Sequence, residues 1–232
     1  MSADIFDAVP HRRDFSFAEH TTYGCGGCAD IAYFPRSADE ACKLFSALKA
    51  EGIKFCILGA GSDVLAADGL YRGAVVCTYN LRAMEYDPIG LTLRTECGVT
   101  VAELLAYCRA RGLSGTEFLA GIPQTPAAVA ANIAARLKGR AALPAGRSCG
   151  CVFENYCGVS AGKIIEGAGL KGARVGKAYV SAEHADFIIN GGDSSADVYA
   201  LIRFVKDEVY KKFGITLKEE VCYIGDFNDS NG

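Results

Sequence analysis

The chain has 232 residues, of which 50% are hydrophobic and 22% are charged, and its formal net charge is −3. This balance is typical of a folded globular protein with one large core or two to three small ones. The slight negative charge and the lack of a lysine-arginine run argue against a nucleic-acid partner. Residues 1–13 lack the form of a signal peptide and no apolar run reaches the ~20 residues of a membrane helix, so we expect a cytoplasmic protein.

The first half of the chain reads as strands that alternate with helices. Residues 1–20 are polar, and we expect them to be irregular or loosely packed. The capping boxes that begin at Ser37 and Thr100 predict helices that continue to Ala50 and Arg111 and end at glycines. Short apolar runs predict strands at Ala29–Phe34, Lys54–Leu58, Val75–Thr78 and Leu91–Glu96.

The second half continues this mixture. Ala127–Lys138 is alanine-rich and predicts a helix. Ser160 is the expected N-cap of a short helix through Glu166, and Ser194 that of a longer helix to Phe213, where Gly214 stops it. The remaining apolar runs predict strands at Tyr179–Val180, Phe187–Ile189 and Val221–Ile224. Since no repeat is present, the pattern indicates an α/β or α+β protein.

The eleven cysteines allow more than one interpretation. Without an export signal we expect reduced thiols, not disulfides. Those inside apolar segments read as small buried hydrophobes, namely Cys42, Cys56, Cys77, Cys97 and Cys108. Those at glycine-rich turns, which we expect to be exposed, support a thiol or metal protein as an alternative function: Cys25, Cys28, Cys149, Cys151 and Cys157. Because only one Cys-x-x-Cys pair is present, we predict no metal site.

The turn Gly59-Ala60-Gly61-Ser62-Asp63 follows a predicted strand. Backbone N–H groups in such a turn can converge on an anion such as a pyrophosphate. An ordinary tight turn is an equally good interpretation of Gly-x-Gly alone. The turn does not match the G-x-G-x-x-G of a Rossmann fold, so a nicotinamide-binding fold is not indicated.

A longer resemblance begins at the thiol-bearing turn from Cys151 to Asn155. The following segments A-G-K-I-I-E-G-A-G-L-K-G (161–172) and G-K-A-Y-V-S-A-E-H-A-D-F-I-I-N (176–190) are nearly complete matches to two family patterns. Those patterns are A-G-x-L-I-E-x-x-G-L-K-G and G-x-A-x-V-S-x-x-H-A-N-F-I-x-N of the UDP-N-acetylenolpyruvoylglucosamine reductase family. In this family's pattern His184 is best interpreted as structural.

The first half resembles the same family. Residues 20–30, 58–65 and 112–123 are similar to H-T-T-F-R-I-G-G-P-A-D, L-G-x-G-S-N-x-L and G-L-x-G-x-E-F-x-x-G-I-P. The resemblance therefore spans roughly residues 20–225. It implies an α+β chain with an FAD-binding fold of the vanillyl-alcohol-oxidase type over residues 1–145, truncated in its second subdomain. A small α+β substrate-binding domain over residues 146–232 would follow.

The resemblance also implies an activity and site residues. The family uses FAD and NADPH to reduce UDP-N-acetylglucosamine enolpyruvate to UDP-N-acetylmuramate, a peptidoglycan precursor, so the expected partner is a UDP-sugar. Cys151 matches the proton donor, and Glu220 matches the carboxylate of L-E-x-E-V. The residues implied for FAD are Gly59, Ala60, Gly61, Ser62, Asp63, Gly121 and Ile122, and those implied for the substrate are Asn155 and Lys163.

Two departures from the family concern the cofactor. The arginine of T-F-R-I-G-G is Gly24 here. The usual G-I-P-G-T-V-G-G becomes Gly121-Ile-Pro-Gln124-Thr-Pro126-Ala127-Ala128. Side chains replace glycines there, and a proline removes a donor, so the backbone would approach FAD less closely.

Two further departures concern the substrate. The chain skips a large middle piece that in the family carries a Y-R element. The arginine of that element could be replaced here by Arg136, Arg140 or Arg147. The lysine and proline of F-K-N-P are Glu154 and Tyr156, and a carboxylate at that point would repel an anionic UDP-sugar. The four departures leave a second alternative open, in which the chain keeps the fold but has lost flavin or activity.

Overall fold

A four-stranded sheet organises the first part of the chain. The computed structural model describes residues 3–113 and 143–227, and the account below concerns these residues. The strands are β1 (His11–Ser16), β2 (Cys28–Tyr33), β3 (Phe55–Leu58) and β5 (Tyr71–Cys77), and their order in the sheet is β1-β2-β5-β3. β1 is antiparallel to β2, whereas β5 runs parallel to both β2 and β3.

Helices and one further strand complete this part. They are α1 (Ala3–Ala8), α2 (Phe17–His20), α3 (Ala38–Ala50) and β4 (Val64–Ala66). The central strand β5 is apolar almost throughout, as a strand covered on both faces must be. Val75 packs into a cluster with Phe15 and Leu58, and its neighbour Val76 packs on the opposite face with Leu44 and Leu48 of α3. This alternation follows from the two-residue period of a strand.

A hairpin and a helix follow the sheet. The hairpin joins β6 (Met84–Asp87) to the antiparallel β7 (Thr92–Thr95), and α4 (Val101–Ala110) comes next. The predicted capping box at Thr100 is confirmed, with both of its hydrogen bonds formed. At Ser37 only half of the box is present, because the Glu40 carboxylate accepts from the Arg36 amide instead of the Ser37 amide.

The last part of the chain is built on a small antiparallel sheet. Its strands are β8 (Arg174–Val175), β9 (Ala178–Val180) and β10 (Ile188–Asn190), and its helices are α5 (Ala161–Ala168) and α6 (Ser195–Phe213). Helix α6 packs against all three strands and against α5. Its buried residues join Phe153, Ile165 and Ile188 in the largest hydrophobic cluster of the described residues.

Two contacts connect this last part to the first. The final strand β11 (Cys222–Ile224) pairs in parallel with β4. Tyr23 and Leu65 lie inside the same hydrophobic cluster as the buried face of α6. The division of the chain at residues 145 and 146 therefore stays a prediction, and a strand pair crosses it.

Several elements differ from the sequence expectations. The prediction that residues 1–20 are irregular is wrong, since α1, β1 and α2 lie there. β1 is an edge strand with charged, exposed side chains and only Phe15 buried, so its sequence has no apolar alternation. β5 begins four residues before its predicted start at Val75. The predicted helix Ala127–Lys138 lies outside the described residues.

Candidate active site

Backbone hydrogen bonds place three segments side by side. The amide of Val152 donates to the carbonyl of Asp186 (3.0 Å), and the amide of Glu220 donates to the carbonyl of Val152 (2.8 Å). Isolated bridges on either side, Cys151 to Phe187 and Phe153 to Glu219, continue this pairing. The segment 151–154 is thus held between residues 186–187 and 218–220. As a result Cys151 and Glu220, far apart in sequence, come together.

The Asp186 carboxylate is close enough to the Cys151 thiol to act on its pKa, since the two residues lie on paired segments. The residue is exposed, but partial burial of the thiol, followed by the charge of Asp186, raises the pKa of Cys151 to about 12. Glu220 raises it further. Cys151 therefore carries its proton at neutral pH and can act as an acid, but it is not a ready thiolate nucleophile.

The two neighbouring glutamates have different environments. Glu219 forms an ion pair with Lys206 at 2.7 Å, and both side chains are largely covered. Glu220 is exposed and forms no ion pair with any residue of the described ranges, and its charge acts on Cys151 and Asp186. Of the two carboxylates, Glu220 is the one whose charge raises the pKa of the Cys151 thiol.

The two residues expected to contact substrate lie at the start of α5. The side-chain oxygen of Asn155 accepts a hydrogen bond from the Ala161 amide (3.1 Å), so Asn155 caps this helix. The predicted N-cap position of Ser160 is confirmed, but its side chain makes no capping hydrogen bond. Lys163 is exposed, and its ammonium group contacts no acidic group of the described residues.

The predicted cofactor turn follows β3 directly. Gly61 has φ +65°, and a Cβ there would lie 2.1 Å from the His20 carbonyl oxygen, so only glycine fits. The Gly61 carbonyl accepts from the Thr22 amide (2.9 Å), which fastens the turn to the His20-Thr21-Thr22 segment. Within residues 3–113 and 143–227, the amides of Ala60, Gly61, Ser62 and Asp63 donate to no other group. Free amides in an exposed turn are suited to a diphosphate, so these residues fit FAD.

The comparison with known families agrees with this geometry. The model of an FAD binding domain matches residues 29–167, which is more than half of the chain. The model of the UDP-N-acetylenolpyruvoylglucosamine reductase C-terminal domain matches residues 142–224. A UDP-N-acetylenolpyruvoylglucosamine reductase of Caldicellulosiruptor bescii is 30% identical, and the match covers 93% of this chain and 91% of the relative.

This chain belongs to the UDP-N-acetylenolpyruvoylglucosamine reductase family. A reductase of the same name from Alkalilimnicola ehrlichii is 33% identical over 90% of this chain and 93% of that protein. The crystal structure of the Thermus caldophilus UDP-N-acetylenolpyruvylglucosamine reductase superposes with a TM-score of 0.69 at 23% identity, covering 94% of this chain and 99% of that one. The structural match confirms the expected α+β fold, and the two family models show an FAD-binding region followed by the family's C-terminal domain.

This chain is shorter than the C. bescii relative over the matched region. The match to the C. bescii protein extends over 287 positions, but 93% of 232 residues is only about 216. Roughly 70 positions of that match therefore have no counterpart in this chain. The number agrees with the expected loss of a middle piece.

Arg147 occupies the space beside Gly24, where the family pattern has an arginine. A Cβ on Gly24 would lie 2.7 Å from the Arg147 side chain. The guanidinium donates to the carbonyls of Gly24 (3.2 Å) and Gly192 and forms an ion pair with Asp193 at 3.4 Å. An arginine from a different part of the chain thus fills this position and connects the first part of the fold to the last.

Glu154 does not present the bare negative charge that the sequence suggested. The ammonium group of Lys218 lies 2.5 Å from its carboxylate. Both side chains are exposed, so the pair stabilises the fold little. The local net charge is nevertheless close to zero, and the expected repulsion of an anionic substrate is weaker than predicted.

The cysteines give less support to a thiol or metal protein than their sequence positions did. Cys25 and Cys149, expected at exposed turns, are buried, and the Cys149 thiol donates to the buried Tyr23 hydroxyl (3.4 Å). Burial raises the pKa of both thiols, to about 12 and about 11. Conversely, Cys42 and Cys97, expected to be buried, are exposed on the outer side of α3 and in a turn after β7. No group of three or more metal-ligating side chains occurs in the part of the chain that the structure describes.

The positions of some predicted site residues are not described by the structure. Gly121, Ile122 and the altered run from Gln124 to Ala128 lie outside the described residues.

Three clefts of about 370 to 660 Å³ are lined by residues of α6, β11 and the turn at Asp68, and none is lined by Cys151 or by the 59–63 turn. His184 accepts from the Asp186 amide (3.3 Å) and packs against Phe187, as a structural residue does. No helix among the described residues is both long and apolar enough to cross a membrane.

Proposed function

We propose that this chain is a cytoplasmic, FAD-dependent reductase that uses NADPH to convert UDP-N-acetylglucosamine enolpyruvate to UDP-N-acetylmuramate for peptidoglycan synthesis. The observation that carries the proposal is the backbone pairing of segment 151–154 with residues 218–220, which places Cys151 and Glu220 on adjacent segments, close enough for the Glu220 charge to raise the pKa of the thiol. An acid and a carboxylate on one exposed surface suit a reaction in which a carbon atom is protonated. The family membership supports the same reaction.

The amides of the 59–63 turn are proposed to hold the diphosphate of FAD, together with Gly121 and Ile122. Bound there, FAD would supply the hydride chemistry of the reaction, with NADPH as the reductant. Gly59 has no side chain that would obstruct the approach of a diphosphate. The space beside it is open, because the atom nearest to a Cβ built there is the Thr78 hydroxyl at 4.0 Å. Backbone donors cost no reorganisation when they bind a phosphate because β3 already fixes their direction.

Cys151 is proposed to protonate the substrate carbon that becomes carbanionic after hydride addition. The C–H group formed next to a carboxylate is a much weaker acid than a thiol. Proton transfer from Cys151 to this carbon is therefore favourable even though the pKa of the thiol is about 12. The S–H bond breaks, a C–H bond forms, and a thiolate remains to be reprotonated from solvent. Glu220 is proposed to face the same carbon. Its negative charge is also proposed to disfavour ionisation of the Cys151 thiol before the substrate binds.

Asn155 and Lys163 are proposed to bind the UDP-sugar. Lys163 offers an uncompensated ammonium group to a diphosphate. The side-chain oxygen of Asn155 caps α5, so only its NH₂ group remains to donate to substrate. Both residues lie in the C-terminal part that also carries Cys151.

The first test is a flavin titration of the purified protein. We expect the visible absorption bands of bound flavin and a rise in melting temperature with added FAD, because a ligand that binds only the folded state stabilises it. NADPH oxidation should then require the enolpyruvyl substrate. A protein that gains no flavin band and no thermal stabilisation would exclude this function.

The missing middle piece favours one second candidate, a relative that keeps the fold without catalysis. Roughly 70 positions of the family match are absent here. This candidate predicts that flavin either fails to bind or binds without substrate-dependent NADPH oxidation. Turnover that depends on the enolpyruvyl substrate would rule it out.

A further inference from the structure

Asp186 is a buried carboxylate on the segment that pairs with Cys151 and Val152. The residue is only 3% exposed, although its sequence position between two turns gives no sign of this. One carboxylate oxygen accepts from the Phe153 amide at 3.0 Å, and the backbone carbonyl of Asp186 accepts from the Val152 amide at 3.0 Å. These two amides belong to the segment that follows Cys151, so the carboxylate and the thiol are fixed relative to each other.

The position is also unusual within the family pattern. The motif H-A-N-F has an asparagine where this chain has Asp186. An asparagine could accept the same amide hydrogen bond through its side-chain oxygen, but it would bring no charge to the thiol. The difference at this position is therefore mainly electrostatic.

Other titratable groups act on the same pair. Glu220 approaches from the 218–220 segment, and Cys149 lies on the segment of Cys151. His184, on the same turn as Asp186, accepts the Asp186 amide through its ring. Burial raises the pKa of Asp186 itself to about 6, so this carboxylate is mostly ionised at neutral pH and fully so at the alkaline pH of thiol chemistry, and neither Asp186 nor Glu220 forms an ion pair within the described ranges.

We propose that Asp186 is a positioning residue that holds Cys151 in its neutral, proton-bearing form. A carboxylate beside a thiol disfavours the thiolate by charge repulsion and accepts the thiol proton as a hydrogen bond. Both effects keep the proton on sulfur until a stronger base, the substrate carbon, is present. The same repulsion speeds the return of a proton from solvent after transfer.

A second consequence concerns the chemistry that Cys151 avoids. Alkylation and peroxide oxidation both proceed through the thiolate. An exposed thiol kept neutral by Asp186 is protected from both, although it is accessible. The inference rests on the proposed function for its meaning in catalysis, but the thiol chemistry can be measured without it.

The experiment is site-resolved alkylation of the flavin-free protein. Wild type and Asp186→Asn are treated with iodoacetamide between pH 7 and 10.5, and the modified fraction of Cys151 is followed by tandem mass spectrometry. Removal of the charge should lower the thiol pKa by one unit or more, so the Cys151 rate at pH 8.5 should rise about tenfold or more. In the wild type Cys151 should react more slowly than the exposed Cys42 of the same molecule.

Glu154→Gln is the matched control. Glu154 is a carboxylate on the same segment, but its charge is not among those acting on Cys151, and Lys218 already compensates it. The alkylation rate of Cys151 in Glu154→Gln should equal that in the wild type. If Asp186→Asn does not fold, Glu220→Gln and the wild-type pH profile decide, since both still report the effect of negative charge on this thiol.

Equal Cys151 rates in wild type and Asp186→Asn, within twofold, would overturn the proposal, as would a wild-type Cys151 that reacts as fast as Cys42. Neither result depends on FAD or substrate, so failure here is distinct from failure of the proposed reductase function. In an active enzyme, Asp186→Asn should also move the alkaline limb of the kcat profile to lower pH by about one unit. A merely structural role would lower activity without that displacement.

Discussion

The two halves of the candidate site are constructed in different ways. Around Cys151 the chain itself supplies every contact, since three segments are joined by backbone hydrogen bonds and a buried carboxylate lies beneath them. The 59–63 turn is fastened at Gly61 and is otherwise exposed, with amides that have no partner among the described residues. The first half is held in place by the fold, whereas the second offers free amides that a bound diphosphate would complete under the proposed function. Variants in the first should therefore alter chemistry, and variants in the second should alter binding.

The largest effect is expected at Cys151. Replacement by alanine removes the proposed proton donor, and kcat should fall by about 10²- to 10⁴-fold. Reduction of bound flavin by NADPH should continue at the wild-type rate, because Cys151 takes no part in it. Stopped-flow measurement of the two half-reactions separates these outcomes.

Two further variants sharpen the assignment of Cys151. Cys151→Ser should retain much more activity than Cys151→Ala, since a hydroxyl can also donate a proton. Cys42→Ala, at an exposed thiol on the outer side of α3, should leave both half-reactions unchanged. Equal activity in Cys151→Ala and wild type would remove Cys151 from the mechanism.

A smaller effect, and one on binding, is expected in the 59–63 turn. Gly61→Ala places a Cβ 2.1 Å from the His20 carbonyl oxygen at φ +65°, so the free energy of unfolding should fall by at least about 2 kcal/mol. Gly59→Ala meets no atom closer than 4.0 Å, so its stability should stay within about 0.5 kcal/mol of wild type. If FAD passes over this residue, the Kd for FAD should nevertheless rise about tenfold. Chemical denaturation and flavin titration measure the two quantities.

Gly69→Ala is the control for these glycines. A Cβ there also meets nothing within 4 Å, but Gly69 lies outside the turn. It should change neither stability nor affinity for FAD. Equal FAD affinity in Gly59→Ala and Gly69→Ala would contradict the placement of the diphosphate in this turn.

Local sequence signals predicted most of the elements correctly. The capping box at Thr100, the cap at Ser194 and the stop at Gly214 all lie where the pattern placed them, because each depends on residues within one helical turn. The family patterns predicted the α+β fold, an FAD-binding region followed by the family's C-terminal domain, whereas the roles of Cys151 and Glu220 stay predictions. A pattern shared by long segments carries tertiary information that composition lacks.

Features set by tertiary contacts were not predictable. β1 is an exposed edge strand, so its polar sequence gave no strand signal. Burial of Cys25 and Cys149 depends on packing around Tyr23, which no local pattern reveals. The compensation of Glu154 by Lys218 joins residues 64 positions apart and likewise has no sequence signal.

The smallest effect is expected at the start of α5, and it distinguishes a structural from a binding role for Asn155. Asn155→Ala removes the acceptor for the Ala161 amide, so the free energy of unfolding should fall by about 1 kcal/mol. Ser160→Ala should change it by much less, because Ser160 makes no side-chain capping bond. Asn155→Asp keeps the acceptor and adds a negative charge that favours a helix N-terminus, so its stability should match or exceed that of wild type.

The Asp variant also separates the two proposed uses of this side chain. If the NH₂ group donates to the UDP-sugar, Asn155→Asp should raise KM although the fold is intact, since a carboxylate can only accept and repels a diphosphate. An unchanged KM would leave Asn155 as a helix cap only. Steady-state kinetics beside urea denaturation of the three variants decides between these outcomes, and Ser160→Ala shows the effect of a substitution at this turn that removes no hydrogen bond.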